Sequence, residues 1–457
     1  MNVVGSLFGV LEVVMREAAL FAAAGFLLLG LSDLVVDLLW VRIKLRERGE
    51  PPLAVSDLPP PLAPGPIAVL IPAWDEAGVI GPMLRRTLAA WADEDVHLYV
   101  GCYPNDPATI AEVAAVADPR VRLVVGDRDG PTTKAHCLNS MWRAMVEAER
   151  TDGRQAKAVV LHDAEDVVHP LALRIFATLC ERWDFVQLPV VPLVDRQSRW
   201  IGGHYADEFA ESHGKELLVR QSLRASLPGA GVGCAFERVA LELIAYEDDR
   251  PFVEDSLTED YEMGLRLGEH GCNARFVRIV ERPGGPVVAT REYFPATLSA
   301  AVRQKARWMA GIALLGWDRL GWRGGVAERW MRLRDRQAPL AALLLAMGYL
   351  GFLLWLLLAA RGVLGGAAPA PLPPVLRWLI AANMVLLGWR LAMRFAFTAA
   401  LYGWREGLRA LPRAAIGNVV AMLAAVRALS LYRTQRRTGR PRWDKTHHRF
   451  PTGHDSR

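Results

Sequence analysis

Val159-Val160-Leu161-His162-Asp163-Ala164-Glu165-Asp166 joins a short apolar run to three carboxylates within four residues. A run of that length bounded by polar residues reads as a buried strand. Acids gathered at a strand's C-terminal tip suit a hard divalent cation, which takes oxygen ligands and leaves positions for phosphate oxygens. Helix capping by one aspartate is the plainer reading, but a cap needs a single side chain. Upstream the same pattern repeats. Ile67–Pro72, Val96–Cys102 and Val121–Val125 are strand-like, whereas Ile80–Trp91, Thr109–Ala117 and Lys134–Arg150 have helical spacing. Strands alternating with helices predict an α/β domain with a parallel, doubly wound, Rossmann-like sheet. Such sheets bind ligands beyond the carboxyl ends of their strands.

The 457 residues are 52% hydrophobic and 23% charged. That is too apolar for an ordinary soluble enzyme and too charged for a pure transporter, so a soluble domain with a few membrane spans is expected. Ala18–Val41 is long enough to cross ~30 Å of hydrocarbon. A signal peptide fits it poorly, because its leading segment is not basic and no small-residue cleavage site follows. Arg42, Lys44, Arg46 and Arg48 come next and place its end in the cytoplasm. Leu340–Ala360 departs after Arg329, Arg332, Arg334 and Arg336, and Trp378–Trp404 returns before Arg405, Arg409 and Arg413. As a fourth span, Ala414–Tyr432 would export Arg433, Arg436, Arg437, Arg440 and Arg442, so an amphipathic helix at the interface is expected there. The net charge of +5 thus belongs with the membrane, which argues against a nucleic-acid partner. The five scattered cysteines suit neither a disulfide framework nor zinc. Asp33 and Asp37 share a face of the first span, as Arg390 and Arg394 do in the third. Charges there need partners, so the two pairs either meet each other or snorkel separately.

Two further clusters carry chemistry. Ser256-Leu-Thr-Glu-Asp-Tyr-Glu-Met-Gly places Glu259 and Asp260 after Thr258, a potential helix cap. A capping box explains some of these acids but not the gathering of Glu254, Asp255, Glu259 and Asp260, and one of them is a candidate general base. Gln304-Lys-Ala-Arg-Trp308 joins a rigid anion-binding fork to a flat apolar face, although an ordinary amphipathic surface would look similar.

Taken in order, these pieces resemble the family 2 glycosyltransferases, in particular the processive, membrane-bound branch that includes cellulose and hyaluronan synthases. Asp163-Ala-Glu matches the DxD-type metal site, with Glu165 where aspartate is usual and Asp166 as a third candidate ligand. Thr258-Glu259-Asp260 matches the TED motif, and Gln304–Trp308 matches QxxRW. His162-Asp-Ala-Glu-Asp-Val-Val-His-Pro and the tail Trp443-Asp-Lys-Thr-His-His-Arg-Phe-Pro are similar to inner-membrane enzymes of the phage-adsorption protein B type.

The resemblance implies a GT-A fold and an inverting hexosyltransferase using Mg²⁺ or Mn²⁺ on Asp163, Glu165 and Asp166. It implies donor contacts from Asp75, Glu76, Asp106, Lys134 and Asp163, with Asn105 alongside. Lys134 is one of six lysines among 54 basic residues. Catalytic roles fall on Glu259, Asp260, Gln304, Arg307 and Trp308, and acceptor contacts on Gly231, Gly233 and Trp308. Its partners would be a nucleotide sugar of UDP type, a polysaccharide acceptor, the bilayer, and an outer-membrane or periplasmic export partner. Members of that type often add a C-terminal domain that binds a cyclic dinucleotide. With 457 residues and no evident PilZ-type module, the sequence leaves regulation by that messenger open. A non-processive transferase acting on a lipid carrier and an inactive membrane scaffold are the alternatives. The expected organisation is a membrane helix with a basic flank over 1–50, a proline-rich linker over 51–66 and the catalytic domain over 67–320. An interfacial segment with two membrane helices follows over 321–405, then a basic interfacial helix and tail over 406–457, with the catalytic domain on the cytoplasmic side of a bacterial inner membrane.

Overall fold

The computed structural model describes residues 3–439 and 449–451, apart from 64, 247, 248 and 366–368. A 44-residue helix, α1 (Val3–Arg46), leads into the α/β domain. Its first half alternates as expected: β1 (Ile67–Pro72), α2 (Ile80–Ala90), β2 (Val96–Cys102), α3 (Pro107–Ala114), β3 (Val121–Val125), α4 (Lys134–Asp152) and β4 (Ala158–Leu161). There follow α5 (Ala172–Leu179), β5 (Phe185–Gln187), α6 (Ile201–Glu211), α7 (Leu217–Ser222), β6 (Cys234–Glu237), α8 (Arg238–Ala245), α9 (Glu259–Glu269) and β7 (Ala274–Phe276). Helices α10 (Leu298–Met309), α11 (Gly316–Leu320) and α12 (Val326–Arg336) complete the domain. Three long helices, α13 (Ala338–Val363), α14 (Pro374–Tyr402) and α15 (Trp404–Thr438), close the described chain.

The sheet order is β3-β2-β1-β4-β6-β5-β7. The four strands read from the sequence are mutually parallel, but β6 runs antiparallel to both β4 and β5. The expected parallel pairing thus holds for these four strands, and β6 makes the whole sheet mixed. Strands β5, β6 and β7 have only three or four residues each, too few for a hydrophobic period to register. Both faces of the sheet are covered, as parallel pairing requires. Val69 and Ile71 of β1 face the core under α2 and α5, whereas Ala68 and Leu70 face the core under α4 and α9. The proline-rich stretch docks rather than hangs loose. Ala54 and Val55 are buried, and the Val55 N–H donates to the Val280 carbonyl at 3.0 Å.

Helices α1, α13, α14 and α15 are each long and apolar enough to cross a membrane by length and composition. Small residues bring α1 and α13 together: a Cβ on Gly351 would lie 3.3 Å from the Ala19 backbone nitrogen. The anticipated contact between the charged pairs of α1 and α14 forms in part. Arg390 pairs with Asp33, which also takes Arg334 at 3.0 Å. Asp37 instead accepts from Lys215 and from Trp389 Nε1, the latter at 2.8 Å. Lys215 belongs to a π-helical turn, Ser212–Glu216, which carries a cation from the α/β domain into the place expected for an arginine.

The segment foreseen as an interfacial helix is part of α15. Ala410, Arg413, Val420, Ala424, Ala428 and Gln435 are buried along one face, while Leu408, Val419, Leu423, Val426 and Leu429 are exposed. The buried face meets the α/β domain at several points. Arg413 pairs with Asp207 of α6 at 2.8 Å, Ala424 and Ala428 pack on α10, and Gln435 donates to the Asp255 carbonyl at 2.9 Å. Of the tail motif, residues 443–448 lie outside the described residues, and Phe450 packs against the main core.

Candidate active site

Three loops at the carboxyl ends of β1, β2 and β4 build one side of a pocket, and α9 and α10 build the other. It is lined by Glu76, Lys134, Asp163, Glu165, Gly231, Glu259, Asp260, Gln304, Arg307 and Trp308, among others. All three sequence clusters therefore meet in one space.

Lys134 enters at the first turn of α4, whose N-terminus is capped by Thr133, accepting from the His136 N–H at 3.2 Å. Its ammonium lies 2.6 Å from Asp163 Oδ1 and 3.8 Å from Glu259 Oε1. Burial opposes that charge, but Asp163, Glu259 and Asp260 outweigh it and raise the ammonium above the ordinary lysine range. Burial also pushes Glu259 up to about 7, with Lys134 pulling it down and Asp260 adding to the rise. Asp260 is raised by burial as well, against the pull of Lys134. The centre is a cation ringed by carboxylates, two of which hold protons more readily than usual.

The glycines are explained by close approach. Gly231 has φ +78°, and a Cβ there would lie 2.6 Å from Asp260 Oδ2 and 3.5 Å from Lys134 Nζ. On Gly233 (φ +58°) it would lie 2.2 Å from Thr290 Oγ1. Gly231 lines the pocket, whereas Gly233 does not. Gly231→Ala should cost about 1–3 kcal/mol of stability from backbone strain. It should also displace Asp260 enough to lower turnover about 100-fold. Wild-type kinetics in that variant would show that the loop tolerates movement.

Asp163 and Glu165 both face the pocket, but Asp166 does not. It is almost wholly buried, and its Oδ2 meets His162 Nδ1 at 2.6 Å and accepts the Asp163 N–H at 3.1 Å. Asp166 thus holds the turn that presents Asp163. Burial lowers His162 to about 3 and raises Asp166 well above its ordinary value. Asp163 and Glu165 fit a divalent ion that takes one or two carboxylates and completes its shell with phosphate oxygens and water. Among the described residues no three His, Cys, Asp or Glu side chains converge into a full cage.

Asp106 caps α3, accepting the Thr109 N–H at 3.2 Å, and takes the Asp75 N–H on its other oxygen at 2.6 Å. Asp75 and Asp106 thereby clip two loops together and flank the lining instead of forming it; Trp74, Glu76 and Tyr103 form it there. Asn105 exchanges two 2.8 Å hydrogen bonds with the Gly130 backbone and holds the lysine loop. Thr258 sits at the N-terminus of α9, but its hydroxyl does not cap the helix. Instead Ser256 Oγ accepts the Thr258 N–H at 3.1 Å. A π-helical turn at Ala310–Leu315 lets Gly311 press on Thr258, where a Cβ would lie 2.5 Å from Oγ1. That contact ties the α10 end to the start of α9.

A family model described as "Glycosyltransferase like family 2" matches residues 64–311. The chain belongs to glycosyltransferase family 2. This transferase is 35% identical, over 96% of its length, to bacteriophage adsorption protein B of Escherichia coli K12. The same figures hold for bacteriophage N4 adsorption protein B of E. coli O157:H7, and the chain spans 62% of the length of these curated relatives. Among solved structures, the mannosyltransferase PcManGT of Pyrobaculum calidifontis, in complex with GDP-Man and Mn²⁺, is similar with a TM-score of 0.53. It is 18% identical, covering 92% of this chain and 99% of the other. That likeness establishes the GT-A fold.

Several site residues of this family 2 transferase escaped the sequence reading. Gln187, buried at the end of β5, donates to the carbonyls of Leu188 and Val232 at 2.8 and 3.0 Å and accepts the Ala230 N–H at 2.9 Å. It fixes the glycine loop. A lone glutamine in the apolar run Phe185–Val191 was its one signal. Glu292, Phe209 and Phe294 also line the pocket, and they come from segments with no recognisable spacing.

Proposed function

We propose that this transferase moves a sugar from a UDP-type nucleotide donor onto a growing polysaccharide at the cytoplasmic face of a bacterial inner membrane. The observation that carries the reading is the meeting of Asp163 and Glu165, Glu259 and Asp260, and Gln304, Arg307 and Trp308 around Lys134 in one pocket. The acceptor hydroxyl attacks the anomeric carbon as the bond to the diphosphate oxygen breaks, with inversion. Asp260 takes the hydroxyl proton. Lys134 and Arg307 lie where cations offset the charge growing on the leaving diphosphate. Asp163 and Glu165 are the residues to hold Mg²⁺ or Mn²⁺, which when bound neutralises part of the same charge. Trp308 offers a flat apolar surface to the acceptor ring.

The helices support this membrane placement. Basic residues flank α1 and α14 on the side of the catalytic domain, and the exposed apolar face of α15 suits a helix lying at the interface. An export partner beyond the membrane would complete the route for a secreted polymer.

Membranes containing the protein, supplied with a panel of nucleotide sugars, test the reading. Released nucleotide and product mass are the readouts. Chelation should abolish nucleotide release, and added Mg²⁺ or Mn²⁺ should restore it. Full turnover in chelator would remove the metal from the mechanism, and silence with every donor would sink the whole reading. Products extended by one sugar on a lipid would favour the non-processive alternative.

A further inference from the structure

Lys305 follows Gln304 on α10, one turn before Trp308, yet it does not line the pocket. It stands behind the aromatic wall. Its ammonium lies 5.0 Å from the ring centre of Tyr205 and 5.1 Å from that of Trp308, and it is ion-paired with Glu208. Tyr205 and Glu208 are themselves one turn apart on α6 and so share a face. Two such pairs from two helices interlock. Tyr205 is wholly buried and donates its hydroxyl to the Ala301 carbonyl at 3.4 Å. Its ring meets Trp308 edge-on, with centroids 6.0 Å apart and planes at 90°. Phe209 and Phe294 stand at 6.3 Å on other sides of the indole.

A cation near two ring faces is held by their quadrupoles. The carboxylate beside it tethers the ammonium to α6 as well as to the two rings. Burial opposes the charge of Glu208, but Lys305 first, then His204 and Arg394 of α14, hold its carboxyl down at about 2. Glu208 thus keeps its charge across working pH, with Arg394 of α14 among the groups that hold it.

We propose that the Glu208–Lys305 pair is a positioning device that fixes the Trp308 indole for the acceptor and leaves donor binding alone. The proposal rests on Trp308 as the acceptor platform.

The test uses the full chain in membranes, with the donor that releases nucleotide and a disaccharide panel (cellobiose, chitobiose, maltose and lactose) as acceptors. Lys305→Met should raise acceptor KM roughly three- to thirtyfold, with donor KM changing by less than about twofold. Lys305→Arg keeps charge and stacking and should recover most of the loss. Glu208→Gln should move acceptor KM in the same direction, and serves if Lys305→Met fails to fold. Equal rises in donor and acceptor KM, unchanged acceptor KM, or an arginine variant as impaired as the methionine one would overturn the device alone. A wild-type protein that releases nucleotide but glycosylates no acceptor would overturn the device together with the reading beneath it.

Discussion

Asp260→Asn should yield a protein that folds, inserts and binds donor, yet loses at least about 100-fold in turnover, because a positioned base contributes 10²–10⁴-fold. The substitution is nearly isosteric. Oδ1 accepts the Tyr261 N–H at 2.8 Å, a bond the amide oxygen can keep, while Oδ2 faces Gly231 and Lys134. The loss should therefore fall on kcat and spare donor KM. The pH profile gives a second readout. Burial raises Asp260, and a base works only when deprotonated. Turnover of the wild type should accordingly be present at high pH and fall away as pH drops, with its acid limb above the ordinary aspartate value of about 3.9. In Asp260→Asn that limb should vanish from the residual rate. Near-normal product from the variant, or an unchanged acid limb, would assign the base elsewhere, with Glu259 next in line.

How much of this was legible depends on the length scale of each signal. The first four strands and the helices between them carry enough apolar residues for a period to show, and the three acidic or aromatic clusters are compact enough to see as words. Strand order accounts for the first of them, since ligands gather at carboxyl ends of such sheets, whereas the other two are brought in by α9 and α10. Side-chain direction was not legible. Asp163 and Asp166 are neighbours in sequence, but one faces the pocket and the other is buried against His162. Asp106, read as a donor contact, also caps α3 and clips the Asp75 loop, a structural part its sequence context did not announce. The arginines read as markers of the inner side are partly internal: Arg332 and Arg413 are fully buried in ion pairs with Glu269, Glu328, Asp207 and Glu406. A charge count cannot separate an arginine that orients a helix from one that fastens it to the domain.

Lys134→Met should lower kcat/KM for the donor by about 100- to 1,000-fold, the scale of a lost preorganised contact to a developing anion. It should also move the acid limb of the pH profile upward. Without donor, Lys134 lies between Asp163 and Glu259, with Asp260 close by. It pulls the carboxyls of both Glu259 and Asp260 down against burial. Removing it leaves mutually repelling acids in a partly buried space, and their cheapest relief is to take up protons. Because these groups titrate together, the displaced limb belongs to the cluster, not to one residue. The sign is fixed: a higher pKa for the base means that activity is lost at a higher pH as acid is added. A variant with reduced donor kcat/KM but an unmoved limb would place Lys134 on the diphosphate alone, with no hold on the base. A variant with a moved limb and intact donor kinetics would make it a tuner of the base that never meets the donor. Both changes together are what one ammonium shared between the leaving group and the base must produce.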